Sequence, residues 1–431
     1  MILDSQINEL LSKVEVDNPK RIDLGLERIQ NFLNRIGNPE KKIKSPVIVS
    51  GSCGKLSFLK FYQKILNHSG LTTNCYTSPH LINWRERYMY KNQLISNERL
   101  AAVISEVRLL QEKLSINLTL FEFLTVVFFY EAQNIEVDKN LLEVGLGGSL
   151  DAVNVAQADL SVINLIHFDH KEWLGSKISQ IAKAKAGIIR EKKPVVVGRQ
   201  EFPEALEVIK NKARDMNAPA YIFQEDWIIK EKSNNFVVYE SNENKLEFEF
   251  LNPARFQMYN FGMALKAAEL TNNINIKQFI EDEDYHQVDL PGRLQKLDNL
   301  LFKINEDVEI WLDGGHQEIN AQYVNESLKK LGVRKLFLIV GFMNTKEYIK
   351  IVEKFTNVHA IRTIDIPEEK NCVPAGKLKN DLNHLCKDVN TSQNFMEAVR
   401  ELSTMDSSKK TILIFGSLYL CGQVLSLINY Q

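Results

Sequence analysis

The stretch that most constrains this chain runs from Pro46 to Ser57, Pro-Val-Ile-Val-Ser-Gly-Ser-Cys-Gly-Lys-Leu-Ser. Val47, Ile48 and Val49 make a short apolar, β-branched run, the pattern of a strand buried on both faces of a parallel sheet. Gly51 to Gly54 then turn the chain, and Ser57 to Asn67 is expected to be helical, with Phe58, Phe61, Ile65 and Leu66 near helical spacing. Strand, glycine turn, lysine and helix N-terminus together form an anion cradle. Backbone N–H groups and the positive end of the helix dipole face the phosphate, and Lys55 adds a full charge. The string departs from the common phosphate-loop pattern because Leu56 separates the lysine from Ser57. Taken alone, such a turn is more often a plain strand-to-helix connection with a solvated lysine, so its meaning rests on what surrounds it.

A chain of 431 residues exceeds one ordinary core, so two domains are expected. Hydrophobic content of 44% with 25% charged residues describes a globular protein, and a net charge of −2 gives no electrostatic reason to expect nucleic acid. No apolar run reaches the length of a membrane helix, and Asp4, Glu9 and Glu15 interrupt any signal-peptide layout. Cysteines 53, 75, 372, 386 and 421 lie scattered without zinc-type spacing, as reduced thiols of a cytoplasmic protein would.

Residues 1–45 read as helical, with Asp23 to Ile36 an amphipathic helix. Beyond the cradle helix, Asn74 leads a short strand into Thr77-Ser78-Pro79-His80, an ordered loop because Pro79 bars helix for Ser78. Helices are expected over 97–115 and 119–134, and over Lys177 to Ile189, which carries Lys185. Leu141-Leu142-Glu143-Val144-Gly145 places a carboxylate inside an apolar strand, which is expensive unless the group is paired or binds a metal. Another apolar strand, Leu160 to Leu165, runs into His167-Phe168-Asp169-His170. Strands alternate with helices, so this half is a doubly wound α/β domain, whose ligands bind beyond the carboxyl ends of the strands. The cradle, Ser78, Glu143 and His170 all fall there, and that convergence argues for a site. Each residue alone has a plainer role: His170 as a helix cap, Glu143 paired with a buried base, Lys185 as a surface lysine. Residues 222–251 alternate as antiparallel hairpins at the sheet margin. A helix over Met258 to Asn272 follows, and Pro291-Gly292-Arg293 marks a break. Beyond it, strands at Val308–Leu312, Leu336–Val340, Ala360–Ile364 and Thr411–Phe415 begin a second α/β pattern, with Asp313-Gly-Gly-His316 just past the first.

These strings together resemble the folylpolyglutamate synthase and dihydrofolate synthase branch of the Mur ligase family, almost end to end. The family's Gly-Thr-Asn-Gly-Lys-Gly-Ser stands here as Gly51-Ser52-Cys53-Gly54-Lys55-Leu56-Ser57. Thr77-Ser78-Pro79-His80-Leu81, Leu142 to Gly148, and Leu150-Asp151-Ala152 with Asn154 match outright. Asp169-His170, Leu174-Gly175, Lys185-Ala186-Gly187, Gln257 with Asn260, Pro291-Gly292-Arg293-Leu294, Asp313 with His316, and Gly416-Ser417 follow in order. The departures are Cys53 for asparagine, Leu56 for glycine, Ala184 for glutamate, Gln317 for asparagine, Thr345 for aspartate and Phe415 for threonine.

The resemblance implies a P-loop-type, doubly wound ATP-binding domain over 1–291, a linker over 292–303, and a smaller Mur ligase-type α/β domain over 304–431. It implies ATP-dependent addition of L-glutamate to dihydropteroate or to a reduced folate through an acyl phosphate, in a cytoplasmic monomer without nucleic-acid or membrane partners. Carried over residue by residue, Ser78, Glu143 and His170 would bind Mg²⁺, and Lys185 would be carbamylated. Gly51, Ser52, Cys53, Gly54, Lys55 and Ser57 would hold ATP with Asn260, Arg293 and Asp313; Lys55, Lys185 and His170 would serve the transfer. Ile22, Asp23, Leu24, Gly25, Thr119, Leu120, Phe121, Glu122 and Asp151 would hold the pterin acid, and His316 and Ser417 would be further substrate-binding residues. Two other readings stand beside this one: a relative that binds nucleotide or folate without turnover, favoured by Cys53 and Leu56, and a ligase for another acid and amino acid. Leu56 is expected to displace the start of the cradle helix, because a side chain stands where the family has no Cβ. Asp313 is expected either at the nucleotide or as a cap on the helix that follows it.

Overall fold

The computed structural model describes residues 2–18, 22–233, 235–302, 304, 307–367, 369, 371–405 and 409–429. It divides into two compact units, one of residues 1–251 and 257–288, the other of residues 252–256 and 289–431. The short segment 252–256 joins the second unit because Ala254 enters its apolar core and Phe256 stacks on Tyr323, ring centroids 5.6 Å apart.

The first unit is built on an eight-stranded sheet. Its strands are β1 (Pro46–Ser50), β2 (Thr73–Tyr76), β3 (Tyr88–Tyr90), β4 (Gln93–Leu94), β5 (Lys139–Glu143), β6 (Leu160–Ile163), β7 (Val195–Val197) and β8 (Ala220–Ile222), in the order β4-β3-β2-β5-β1-β6-β7-β8. Six of them run parallel, from β2 to β8, and β3 and β4 add an antiparallel margin. Parallel strands joined by helices must be covered on both faces. The unit's longer helices are α1 (Ile2–Asp17), α2 (Glu27–Arg35), α3 (Lys55–His68), α4 (Asn97–Leu114), α5 (Leu120–Ala132), α7 (Ile178–Ala186), α8 (Pro203–Asp215) and α9 (Gln257–Glu269), with the single-turn α6 (Lys171–Leu174) before α7. Ile48, Leu142 and Ile163 enter one core with Ile104, Phe123, Val127 and Ile181. The alternate residues Val47, Val49, Leu141 and Val162 are equally buried and face the opposite side of the pleat. There α3 and α9 pack through Phe61 and Phe261, centroids 5.1 Å apart.

Several expectations shift. Residues 1–45 are not one helical stretch: residues 22–25 carry no helix or strand, and α2 starts at Glu27 rather than Asp23. Both Asp23 oxygens that face Arg28 are engaged there, which holds the chain off helical geometry. The 222–251 hairpins form a sheet of their own, β9 (Trp227–Ser233), β10 (Phe236–Ser241) and β11 (Lys245–Glu249), rather than extending the main one.

The second unit is a six-stranded sheet of β12 (Gln295–Leu297), β13 (Val308–Asp313), β14 (Leu336–Val340), β15 (Val358–Thr363), β16 (Val389–Thr391) and β17 (Lys410–Phe415), ordered β12-β13-β17-β14-β15-β16. β12, antiparallel to β13, lies within the stretch expected to be a linker. β12 and β16 escape pattern recognition because each is three residues long and buries only one of them, Leu297 and Val389.

Candidate functional site

Parallel pairing puts four strand ends side by side. Val49 of β1 is level with Glu143 of β5, Ser50 with Ile163 of β6, and Tyr76 of β2 with Leu142. Gly51, Ser78, Glu143 and Asn164 therefore share one edge of the sheet.

The cradle turn is held from below. Ser52 N–H donates to the Leu165 carbonyl at 2.8 Å, and the Ser52 hydroxyl donates to His167 O at 2.8 Å while accepting from His167 N–H at 3.0 Å. Gly54 is the N-cap of α3 and sits at φ +78°, a region open to glycine at little cost. No side chain caps α3, so its first N–H groups face outward as an anion site would require. A Cβ at Gly54 would lie 2.4 Å from Asn260 Oδ1 and 2.5 Å from Asn164 Nδ2, so both asparagines press on the turn. Asn164 donates to Asn260 at 2.8 Å, and Asn260 donates to Gln257 at 2.7 Å. Asn260 thus reaches the cradle as its backing. Asn164 is a site residue that sequence reading passed over; its signal is an amide at the end of an apolar strand. Leu56 lies within the first turn of α3, and the helix starts at Lys55, two residues before the expected start. The left-handed conformation falls on Gly54, and Leu56 follows inside the helical first turn.

Two ammonium groups converge beneath the turn. Lys55 Nζ and Lys185 Nζ both donate to Gly51 O, at 3.1 and 3.0 Å. Lys185 is 2% exposed. Burial first, then the charge of Lys55, pulls its pKa down to about 8. It is no surface lysine. Asp169 and Asp151 lie close enough to oppose that fall.

Glu143 ends β5 at 4% exposure and accepts Ser78 N–H on Oε2 at 3.0 Å. His170 has φ +48° at the N-cap of α6, with its ring Nε2 3.4 Å from Asp169 Oδ2. That pairing matches a ligating histidine whose other nitrogen is held by a carboxylate. Among the described residues, no three His, Cys, Asp or Glu side chains gather as a metal cage. Mg²⁺ needs none, since it keeps several waters and takes one or two carboxylates with phosphate oxygens. Glu143 with the Ser78 hydroxyl is a donor set of that kind.

Asp151 accepts from Leu146 N–H at 2.8 Å and Val153 N–H at 3.0 Å, and burial raises its carboxyl to about 6. Here it shapes the Gly145–Gly148 loop. Phe121 packs on that loop so closely that a Cβ at Gly145 would lie 2.5 Å from its ring. Thr119 and Glu122 form a capping box on α5, with Leu120 and Phe121 half-buried between them. Arg28, which the sequence left without a role, joins Glu122 to Asp23. The half-buried run Ile22, Asp23, Leu24, Gly25 is thereby tied to α5.

In the second unit, Asp313 ends β13 beside Phe415 of β17, so Asp313 and Ser417 share a sheet edge. Asp313 does not cap the following helix, α10 (Glu318–Lys330). Instead it accepts Leu294 N–H and Gly315 N–H, each at 2.7 Å, and burial raises it to about 6 although Arg293 opposes the rise. His316 Nδ1 lies 3.1 Å from Gly314 O, and buried Ser417 accepts Tyr419 N–H at 3.1 Å.

No family model matches the chain. Curated proteins and solved structures do. The dihydrofolate synthase/folylpolyglutamate synthase of Bacillus subtilis is 29% identical over 423 residues, 93% of this chain and 94% of that protein. The structure of Escherichia coli FolC in complex with DHPP and ADP superposes with a TM-score of 0.85 at 24% identity, covering 98% of this chain and 97% of that one. The bifunctional enzyme from Yersinia pestis with AMPPNP and Mn ion gives a TM-score of 0.85 at 24% identity, over 98% of both chains.

Proposed function

This chain is a homologue of the dihydrofolate synthases/folylpolyglutamate synthases, and from that premise we propose that it is an ATP-dependent ligase adding L-glutamate to dihydropteroate, to reduced folates, or to both. The observation that carries the proposal is the meeting of Lys55 and Lys185 on Gly51 O under an uncapped helix N-terminus, with the Glu143 strand end alongside.

The cradle from Gly51 to Ser57, backed by Asn260, binds the phosphates of ATP. Phosphoryl transfer spreads charge over the equatorial oxygens, and fixed cations stabilise it without reorganising. Lys55 supplies that charge. Glu143, Ser78 and His170 would hold Mg²⁺, which would supply neutralisation of phosphate charge and orientation of the transferred group. Lys185, with its pKa near 8, has a neutral amine available to take up CO₂ as a carbamate. The carboxylate of the pterin acid attacks the γ-phosphorus, the bond from that phosphorus to the β–γ bridging oxygen breaks, and ADP leaves. The glutamate amine then attacks the acyl carbon, the C–N bond forms as the C–O bond to phosphate breaks, and inorganic phosphate and the amine proton are released. Residues 22–25, 119–122 and Asp151 are assigned to the pterin acid, Arg293 and Asp313 to the nucleotide, and His316 and Ser417 to substrate. The chain is assigned to the cytoplasm as a monomer, a compartment in which scattered thiols such as its five cysteines stay reduced.

The test is ADP release by the purified chain with glutamate and Mg²⁺, offered dihydropteroate and tetrahydrofolate in turn. Glutamate-dependent ADP release with either acid supports the reading. Release with neither overturns it.

A further inference from the structure

We infer that Arg28 is a positioning residue for the acid substrate, a clamp that locks the irregular 22–25 segment onto the N-terminus of α5. The inference rests on the substrate assignment above, and it adds a residue that this assignment did not use.

Three bonds define the clamp. Arg28 Nε donates to Glu122 Oε2 at 2.7 Å, Nη1 to Asp23 Oδ2 at 2.9 Å and Nη2 to the Asp23 carbonyl at 3.2 Å. One guanidinium therefore grips a side chain and the main chain of one segment and the capping carboxylate of another, 94 residues away. Only arginine presents planar donors in that fork. Arg28 itself stands in the first turn of α2, which is anchored by buried Ile29, Phe32 and Leu33. Residues 22–25 have no ladder of their own, so their path depends on the clamp.

Glu122 is stretched to its limit. Its Oε2 accepts from Arg28 and from Thr119 N–H and Oγ1, both at 2.8 Å, while Oε1 is buried without a partner. Removing the cation from a buried ion pair of this kind is strongly destabilising for the partner left behind. The next residue back, Phe121, is the one that fills the space above Gly145. Loss of Arg28 therefore loosens both walls offered to the acid, and none of its three bonds involves the cradle.

The experiment uses the full-length chain with Arg28→Gln and Arg28→Lys, reading KM for dihydropteroate and for ATP, and dihydropteroate binding by calorimetry. The clamp requires Arg28→Gln to weaken dihydropteroate about tenfold or more with ATP KM within about twofold. Arg28→Lys, which keeps the charge and one donor, should fall between Gln and wild type, and it carries the same test if the Gln variant does not fold. Unchanged dihydropteroate affinity in Arg28→Lys and Arg28→Gln overturns the clamp alone. Parallel loss of affinity for both substrates marks a general stabilising ion pair and also overturns it. Wild-type protein that binds no pterin acid overturns the clamp together with the substrate assignment.

Discussion

Gly54→Ala tests the cradle geometry most directly. At φ +78° an alanine carries the left-handed penalty of about 1–2 kcal/mol. Its Cβ would also stand 2.4 Å from Asn260 Oδ1 and 2.5 Å from Asn164 Nδ2, forcing apart the 2.8 Å bond between them. Leaving buried amide groups unpaired adds about 1–3 kcal/mol. The expected loss is about 2–5 kcal/mol. Gly70 supplies the control, since it has φ +77° with nothing within 4 Å of an added Cβ, so Gly70→Ala bears the backbone penalty alone. Urea unfolding of both variants, followed by ATP titration, separates the two effects. Gly54→Ala should unfold at lower urea than Gly70→Ala and bind ATP more weakly than wild type. Equal midpoints for the two variants, with wild-type ATP affinity in Gly54→Ala, would refute the packing of Asn164 and Asn260 on the turn.

Three further outcomes are expected. Glu143→Gln keeps an acceptor for Ser78 N–H but removes the charge, so Mg²⁺-dependent turnover should vanish while the melting temperature holds; retained turnover removes Glu143 from the metal. Lys185 has a native pKa of about 8 against an ordinary value near 10.5, so between those values the unfolded chain binds the extra proton and stability rises with pH. Stability of wild type relative to Lys185→Met should therefore climb from pH 8 towards 10.5, and a flat difference by denaturant titration would count against the buried amine. Leu56→Gly should lower stability by about 1 kcal/mol, the cost of glycine in a helix, without tightening ATP binding. A markedly lower ATP KM in that variant would restore the view that Leu56 strains the cradle.

The sequence by itself determined the alternating α/β order, the cradle, and the placing of Ser78 and Glu143 at strand ends. These follow from local rules: β-branched runs make buried strands, glycine makes turns, and parallel strands align their carboxyl ends. Tertiary structure decided what lies between distant residues. That Asn164 and Asn260 press on Gly54, that Lys185 lies buried beside Lys55, and that Arg28 spans to Glu122 depend on packing across 96, 130 and 94 residues of chain. Asp313 shows the same division. Its position after a strand was legible, but the two N–H groups it accepts are brought there by the Leu294 turn and the Gly315 turn together. Periodicity reports which face of an element is buried. It carries no term for the partner that the fold will bring to that face.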